Sequence, residues 1–207
     1  AKQLQDEVIG HYDSYQLHLV YQKIHHFCSQ DMGAFYLDVI KDRLYTCNNN
    51  GLARKSAQTA MFHILNTLQR LIAPIMTFTA DEIRMSRGQD SHVLFSQWYE
   101  FPEFTFDSQT EKWLNIAGIR QAVSKQLETL RVNGEIGSSL DADVKLFLQD
   151  DLFEQLIAMN DELRFVLITS EASILPWSKK GEAEERELPN GRVIAIEVKS
   201  AEGEKCE

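Results

Sequence analysis

Two adjacent pairs in this 207-residue chain are of the right type to do chemistry, His25-His26 and Asp81-Glu82. Neither has the spacing. Successive residues on a helix point about 100° apart, so neighbouring histidines cannot share a metal as i,i+4 histidines can. One is expected at the core edge and one in solvent. Asp81-Glu82 closes Thr79-Ala-Asp-Glu82, the pattern of a capping box, and acids in a first helical turn are explained by capping and the helix dipole. The chain has no G-x-x-x-x-G-K-[ST] loop, no G-x-G-x-x-G, no G-x-S-x-G and no H-E-x-x-H, so no catalytic residue is expected. Basic pairs are the better candidates. Arg54-Lys55 begins a helical pattern, at the end where cations are electrostatically disfavoured, and that misplacement points to a partner anion such as phosphate. Lys41 and Arg43 end the preceding helical pattern, where the dipole favours them. Lys23, Arg70, Arg84 and Arg87 could extend the same surface.

The surrounding charge does not read as that of a general nucleic-acid binder. Net charge is −10, divided as −2 over residues 1–105 (9 Lys/Arg, 11 Asp/Glu) and −8 over residues 106–207 (12 and 20), and all six histidines lie in the first part. A phosphate-binding surface would therefore be a local patch on the nearly neutral first part. With 43% hydrophobic and 25% charged residues the composition is globular. No apolar run approaches the ~20 residues of a membrane span, and AKQLQDEVIG is no secretory signal. Without a Met and already in helical pattern, it reads as a start inside a longer protein. Three cysteines, Cys28, Cys47 and Cys206, are too few for a disulfide framework and point to a reducing, cytoplasmic setting. Cys28 and Cys47 are expected as small core or boundary residues.

The elements that must position these groups follow from hydrophobic period. Residues 2–12 read as a helix. Leu17, Val20, Tyr21, Ile24, Phe27 and Cys28 step by three and four, and Phe35, Tyr36, Val39 and Ile40 resume the pattern, either as one helix bent near Gly33 or as two end to end. Thr46–Gly51 is a loop. A helix from about Leu52 to Ile72 carries Ala53, Ala57, Ala60, Ile64, Leu68 and Leu71 as a stripe, with Lys55, Asn66 and Gln69 off it. Pro74 enforces a break, and the capping box starts the next helix. Residues 88–106 form an aromatic-rich connection (Phe95, Trp98, Tyr99, Phe101, Phe104, Phe106), which packs onto the helices or offers bases a stacking platform. From Asp107 the texture changes. Ser108–Glu111 is a second capping box, opening a helix with Trp113, Leu114, Ala117, Val123, Leu127 and Leu130 that stops at Asn133-Gly134. Strand character follows at Asp143–Leu148, 173–175 and Arg192–Lys199, with short helices capped by Asp150 and Asn160. Residues 178–190 read as a charged connection or exposed hairpin. The expected fold is mainly α: a helical bundle over 1–106, then a small α+β domain over 107–207 with a sheet of about three strands.

HFCSQDMGAFYLDVIKDRLYT (His26–Thr46), LARKSAQTA (Leu52–Ala60) and APIMTFTADEI (Ala73–Ile83) resemble the anticodon-binding domain of isoleucyl-tRNA synthetases. The AP-x-x-x-F-T-A-[DE]-E segment is shared by the isoleucine, valine and leucine enzymes, and FYLDVIKDRLY narrows the resemblance to the isoleucine enzyme. GSSLDADVKLF (Gly137–Phe147), DELRFVLITSEASI (Asp161–Ile174) and SAEGEKC (Ser200–Cys206) resemble the C-terminal region of the bacterial form, in the same order. Two departures stand out: Arg84 occupies the place where the family usually has Trp, and the first helices of the domain are missing.

The resemblance implies a non-catalytic part of a class I ligase that joins isoleucine to its tRNA using ATP, with ATP, magnesium and zinc belonging to the parent enzyme. Its implied partners are isoleucine tRNA and the upstream catalytic and editing domains of the same chain, with no membrane. Its role would be to hold the anticodon stem-loop, read through unstacked bases and backbone contacts. Arg54, Lys55, Lys41 and Arg43 are then the candidate RNA contacts. In the bacterial family the segment at Cys206 continues as K-C-x-R-C-W, half of a four-cysteine zinc module, so Cys206 is expected as a zinc ligand that cannot hold the metal alone. The other reading of the residues, favoured by the −10 charge, is a helical protein-interaction module without RNA.

Overall fold

Apolar residues spaced three and four apart close the first core in helices. A computed structural model of the protein describes residues 1–103 and 107–201, and of 107–109 the backbone alone. Two units result, Ala1–Phe104 and Thr105–Glu207. In the first, α1 (Lys2–Asp13), α2 (Leu17–His26), α3 (Leu37–Tyr45), α4 (Leu52–Ile72) and α5 (Thr77–Ser86) follow in order. A π-helical stretch, Phe27–Tyr36, joins α2 to α3 with helical dihedrals at both junctions, so Leu17 to Tyr45 is one continuous helix. At Gly33 an added Cβ would come within 3.2 Å of the Cys28 carbonyl.

Leu4, Val8, Val20, Ile24 and Leu71 form the buried cluster of this unit, with Tyr12, Phe27, Leu68 and Ile72 packed against it. α4 therefore does the central packing, against α1, α3 and α5. Its buried face differs from the apolar stripe. Ala57 and Leu71 are buried, but so are Asn66, Thr67 and Gln69, while Ala53 is exposed. Pro74 does end α4, and the Thr77 hydroxyl donates to the Ala73 carbonyl (2.7 Å) in the following turn. α5 begins two residues before the expected cap, leaving Thr79 inside its first turn. Cys28 is exposed rather than core or boundary, and His25 and His26 are both exposed.

In the second unit, α6 (Asp107–Val132) ends as its sequence requires. Gly134 has φ +77°, the left-handed conformation that glycine adopts without a Cβ clash, and the Glu135 N–H reaches back to the Leu130 carbonyl at 3.0 Å. The buried stripe of α6 is Ile116, Ile119, Val123 and Leu127, whereas Trp113 and Leu114 are exposed. The sheet has four strands rather than about three: β1 (Ala142–Leu148), β2 (Glu171–Pro176), β3 (Glu184–Glu187) and β4 (Val193–Ser200), in the order β2-β1-β4-β3. β1 and β2 run parallel, joined through α7 (Asp150–Leu156) and α8 (Asn160–Leu167), as a parallel pair needs a crossover. β4 is antiparallel to β1 and β3. The extra strand, EERE, lies in the charged stretch and makes it the exposed hairpin. Asp150 and Asn160 each stand one residue inside their helices rather than capping them. The Asn160 side-chain oxygen instead accepts the Ile174 N–H at 2.8 Å, fastening α8 to β2.

Two measurements check this packing. Asn160→Ala strands a partly buried N–H, which costs about 1–3 kcal/mol, and urea unfolding should show that loss. Tyr12 donates its hydroxyl to the Leu71 carbonyl at 2.8 Å, and burial pushes its pKa up to about 12 from ~10 in an unfolded chain. The folded chain keeps that proton longer, so stability falls as pH rises between about 10 and 12. Tyr12→Phe should lose this share of the decline, read by urea unfolding across the same interval.

Candidate nucleic-acid interface

Apart from Lys2 and Lys23, the basic residues of the helical unit fall into two groups, one near each end of α4. At its start, the loop after α3 is tied back by the Cys47 N–H on the Asp42 carbonyl and turned by the Gly51 N–H on the Asn48 carbonyl (2.8 Å). α3 packs against α4, so the end of one and the start of the other make a corner. Lys41 Nζ lies 3.2 Å from Asp38 Oδ1. Arg43 stands in the last turn of α3 and pulls against the burial that pushes the Tyr36 hydroxyl up. Arg54 donates through Nη1 to the Cys47 carbonyl at 3.4 Å, which gives its position at a helix start a local reason. Lys55 is exposed. Lys23 does not extend this corner, because it pairs with Glu7 at 2.6 Å.

At the far end of α4 the structure gathers Arg70, Arg84 and Arg87, which spacing alone could not place together. Arg70 Nη1 donates to the carbonyl and side-chain oxygens of Asn66 (2.7 and 3.3 Å), and its Nε donates to the Gln97 carbonyl (3.0 Å). Arg87 Nη1 shares the Asn66 side-chain oxygen (3.1 Å) and approaches Gln69 Oε1 (3.5 Å). Arg84 grips Ser91 through the backbone carbonyl (2.5 Å) and the hydroxyl (2.7 Å). Desolvation lowers the Arg70 pKa, and the guanidinium charges of Arg84 and Arg87 lower it further. Asp81, near in sequence, is otherwise engaged: it accepts the Val93 N–H at 2.8 Å and faces His92 at 3.3 Å. That is a structural task for half of the carboxylate pair.

The aromatic connection packs onto the helices. Trp98 stacks on Tyr12, with centroids 6.1 Å apart and planes within 19°. The Tyr99 hydroxyl is 2.6 Å from His63 Nδ1, its carbonyl accepts from Gln5 at 2.8 Å, and its ring lies under Arg70 at 5.3 Å. Phe95 is 87% exposed and takes no part in that packing. Phe104 and Phe106 lie outside the described residues. Beside Arg70 a cleft of about 590 Å³ opens among Pro74, Val93, Leu94, Trp98 and Tyr99.

Among the described residues no group of three or more His, Cys, Asp or Glu could hold a metal. Cys206, the expected zinc ligand, and the side chain of Ser108 in the second capping box lie outside the described residues. No helix among the described residues is long and apolar enough to cross a membrane.

Similarity to known proteins covers the whole chain. The family model for the anticodon-binding domain of tRNA ligases matches residues 1–146, which runs beyond the helical unit through α6 and into β1. The isoleucine–tRNA ligase of Coxiella burnetii is 45% identical over the full chain and that of Methylococcus capsulatus 46%. That of Nitrosococcus oceani is 47% identical over 95% of the chain. The chain spans 22% of the length of each of these relatives. By the extent of the family match, the chain belongs to the anticodon-binding domain family of tRNA ligases, and these relatives, to which it is similar throughout, are isoleucine–tRNA ligases.

Proposed function

We propose that this chain is the tRNA-recognition part of an isoleucine–tRNA ligase, holding the anticodon stem-loop of isoleucine tRNA and contributing no catalytic group of its own. The observation that carries this reading is the family match over 1–146. ATP-dependent joining of isoleucine, with its magnesium requirement and cytoplasmic setting, belongs to the longer enzyme whose catalytic and editing domains would be the chain's neighbours. Lys41, Arg43, Arg54 and Lys55, at the corner of α3 and α4, are the residues we assign to the RNA backbone. Such contacts fix register and orientation, while bases are read from unstacked loop nucleotides. Cys206 is proposed as one zinc ligand, although one thiolate cannot close a tetrahedral site.

A second reading, a helical module that binds protein and no RNA, is favoured by the net charge of −10. Filter binding with isoleucine tRNA separates the two. Under the RNA reading the chain binds tRNA with strong salt dependence. Arg54→Ala with Lys55→Ala then weakens binding and lowers the slope of log K against log salt by about 0.7–0.9 for each phosphate no longer neutralised. In the full enzyme the same pair should raise KM for tRNA and leave isoleucine activation intact. Equal loss of both would indicate misfolding. The chain alone should support no isoleucine-dependent exchange of pyrophosphate into ATP; exchange in a preparation free of contaminating ligase would refute the non-catalytic assignment.

A further inference from the structure

Three guanidinium groups converge at the end of α4 in a protein with 31 carboxylates and 21 Lys and Arg. Like charges drawn together are unfavourable unless something compensates them. Yet among the described residues none of Arg70, Arg84 and Arg87 pairs with a carboxylate. The acceptors that hold them are all neutral: the Asn66 carbonyl and side chain, the Gln69 side chain, the Gln97 carbonyl, and the carbonyl and hydroxyl of Ser91. Neutral acceptors orient a guanidinium without cancelling its charge. Burial lowers the Arg70 pKa, and the charges of Arg84 and Arg87 act in the same direction.

Unsatisfied donors lie in the same place. Gln69 is fully buried, its oxygen meets Arg87, and its Nε2 has no partner. Arg84 Nη1 is likewise buried and without an acceptor. A buried donor left unpaired costs about 1–3 kcal/mol. These groups would be satisfied by a ligand that brings several oxygens and a negative charge.

We propose that Arg70 and Arg87, held by Asn66 and Gln69, and Arg84, held by Ser91, form a binding site for a phosphate-type oxyanion, supplied by the backbone of an unpaired RNA nucleotide. Guanidinium forks match phosphate oxygens in geometry and charge. The cleft beside Arg70, walled by Pro74, Leu94 and Trp98 with Gln97 and Glu100 also on its lining, gives the attached base a largely apolar place to lie, which free phosphate would leave unused. This proposal deepens the RNA-binding reading and rests on it for the source of the phosphate.

Arg84→Gln and Arg87→Gln are the test variants, with thermal midpoints recorded to verify folding. Each should weaken binding of isoleucine tRNA about tenfold, as expected for one charge-assisted hydrogen bond, and lower the salt slope by about 0.7–0.9. Arginine side-chain NMR of the unaltered chain, titrated with inorganic phosphate, should shift the Arg84 and Arg87 Nε signals. If both variants bind tRNA as the parent does while Arg54→Ala with Lys55→Ala does not, this site is refuted and the RNA-binding function stands. If the chain binds no tRNA but phosphate shifts those signals, the oxyanion site stands and RNA as its source is refuted. Neither tRNA nor phosphate binding would refute both.

Discussion

A helix that carries polar side chains into a packed interior must bring partners for them, and α4 carries three: Asn66, Thr67 and Gln69, at most 3% exposed. Its own backbone serves part of the need, since Thr67 donates to the His63 carbonyl and Asn66 to the Phe62 carbonyl. The side-chain oxygens of Asn66 and Gln69 still need donors, because burying an acceptor unpaired costs more than a hydrogen bond returns. Arg70 and Arg87 supply them. Much of the unit follows from that requirement. Arg87 fastens the end of α5 to α4. Arg70 reaches onward to the Gln97 carbonyl and the Tyr99 ring and draws the aromatic connection in, where Trp98 and Tyr12 close over α1. The convergence of Arg70 and Arg87 thus follows from satisfying a polar interior.

How much is legible in the sequence depends on which force decides each feature. The bounds of α4 can be read to the residue because a long apolar period, a glycine before it and a proline after it all agree. Its buried face cannot, because period assigns Asn66 and Gln69 to solvent, whereas tertiary hydrogen bonds offset the penalty of burying them. The fourth strand escapes for the same kind of reason. EERE has none of the β-branched or aromatic residues that mark strands, and it is held by its pairing with Val193–Ile196. At the candidate site, Arg54 can be flagged by the dipole, but not its bond to the Cys47 carbonyl. Arg70, Arg84 and Arg87 can be noted, but not brought together, since separations of 14 and 3 residues say nothing until α5 folds back on α4.

The sheet unit meets the same polar problem by another route. Asn115 of α6 is 1% exposed, yet it donates to Gln155 of α7 at 2.8 Å and accepts from Asn190 in the β3–β4 turn at 2.7 Å. One amide thereby links three elements that share no sequence proximity. Beside it, an added Cβ at Gly118 would come within 3.3 Å of Pro189, so the turn lies close on α6 only because no side chain intervenes. The acid excess of residues 106–207 sits with this unit, and the helical one is nearly neutral.

The order β2-β1-β4-β3 leaves two outer strands, and each is closed to a newcomer differently. Open strand edges are templates on which other chains can polymerise into aggregates. On β2 the Ile174 N–H is already engaged by Asn160, so an arriving strand finds a donor missing from its ladder. On β3 the guard is charge and brevity: four residues, three of them glutamates, with Arg186 paired to Glu184. A strand added there would have to desolvate those carboxylates. In the crowded surroundings of a chain still being synthesised, those two edges are where self-association would otherwise begin, and the residues placed there protect solubility rather than recognition.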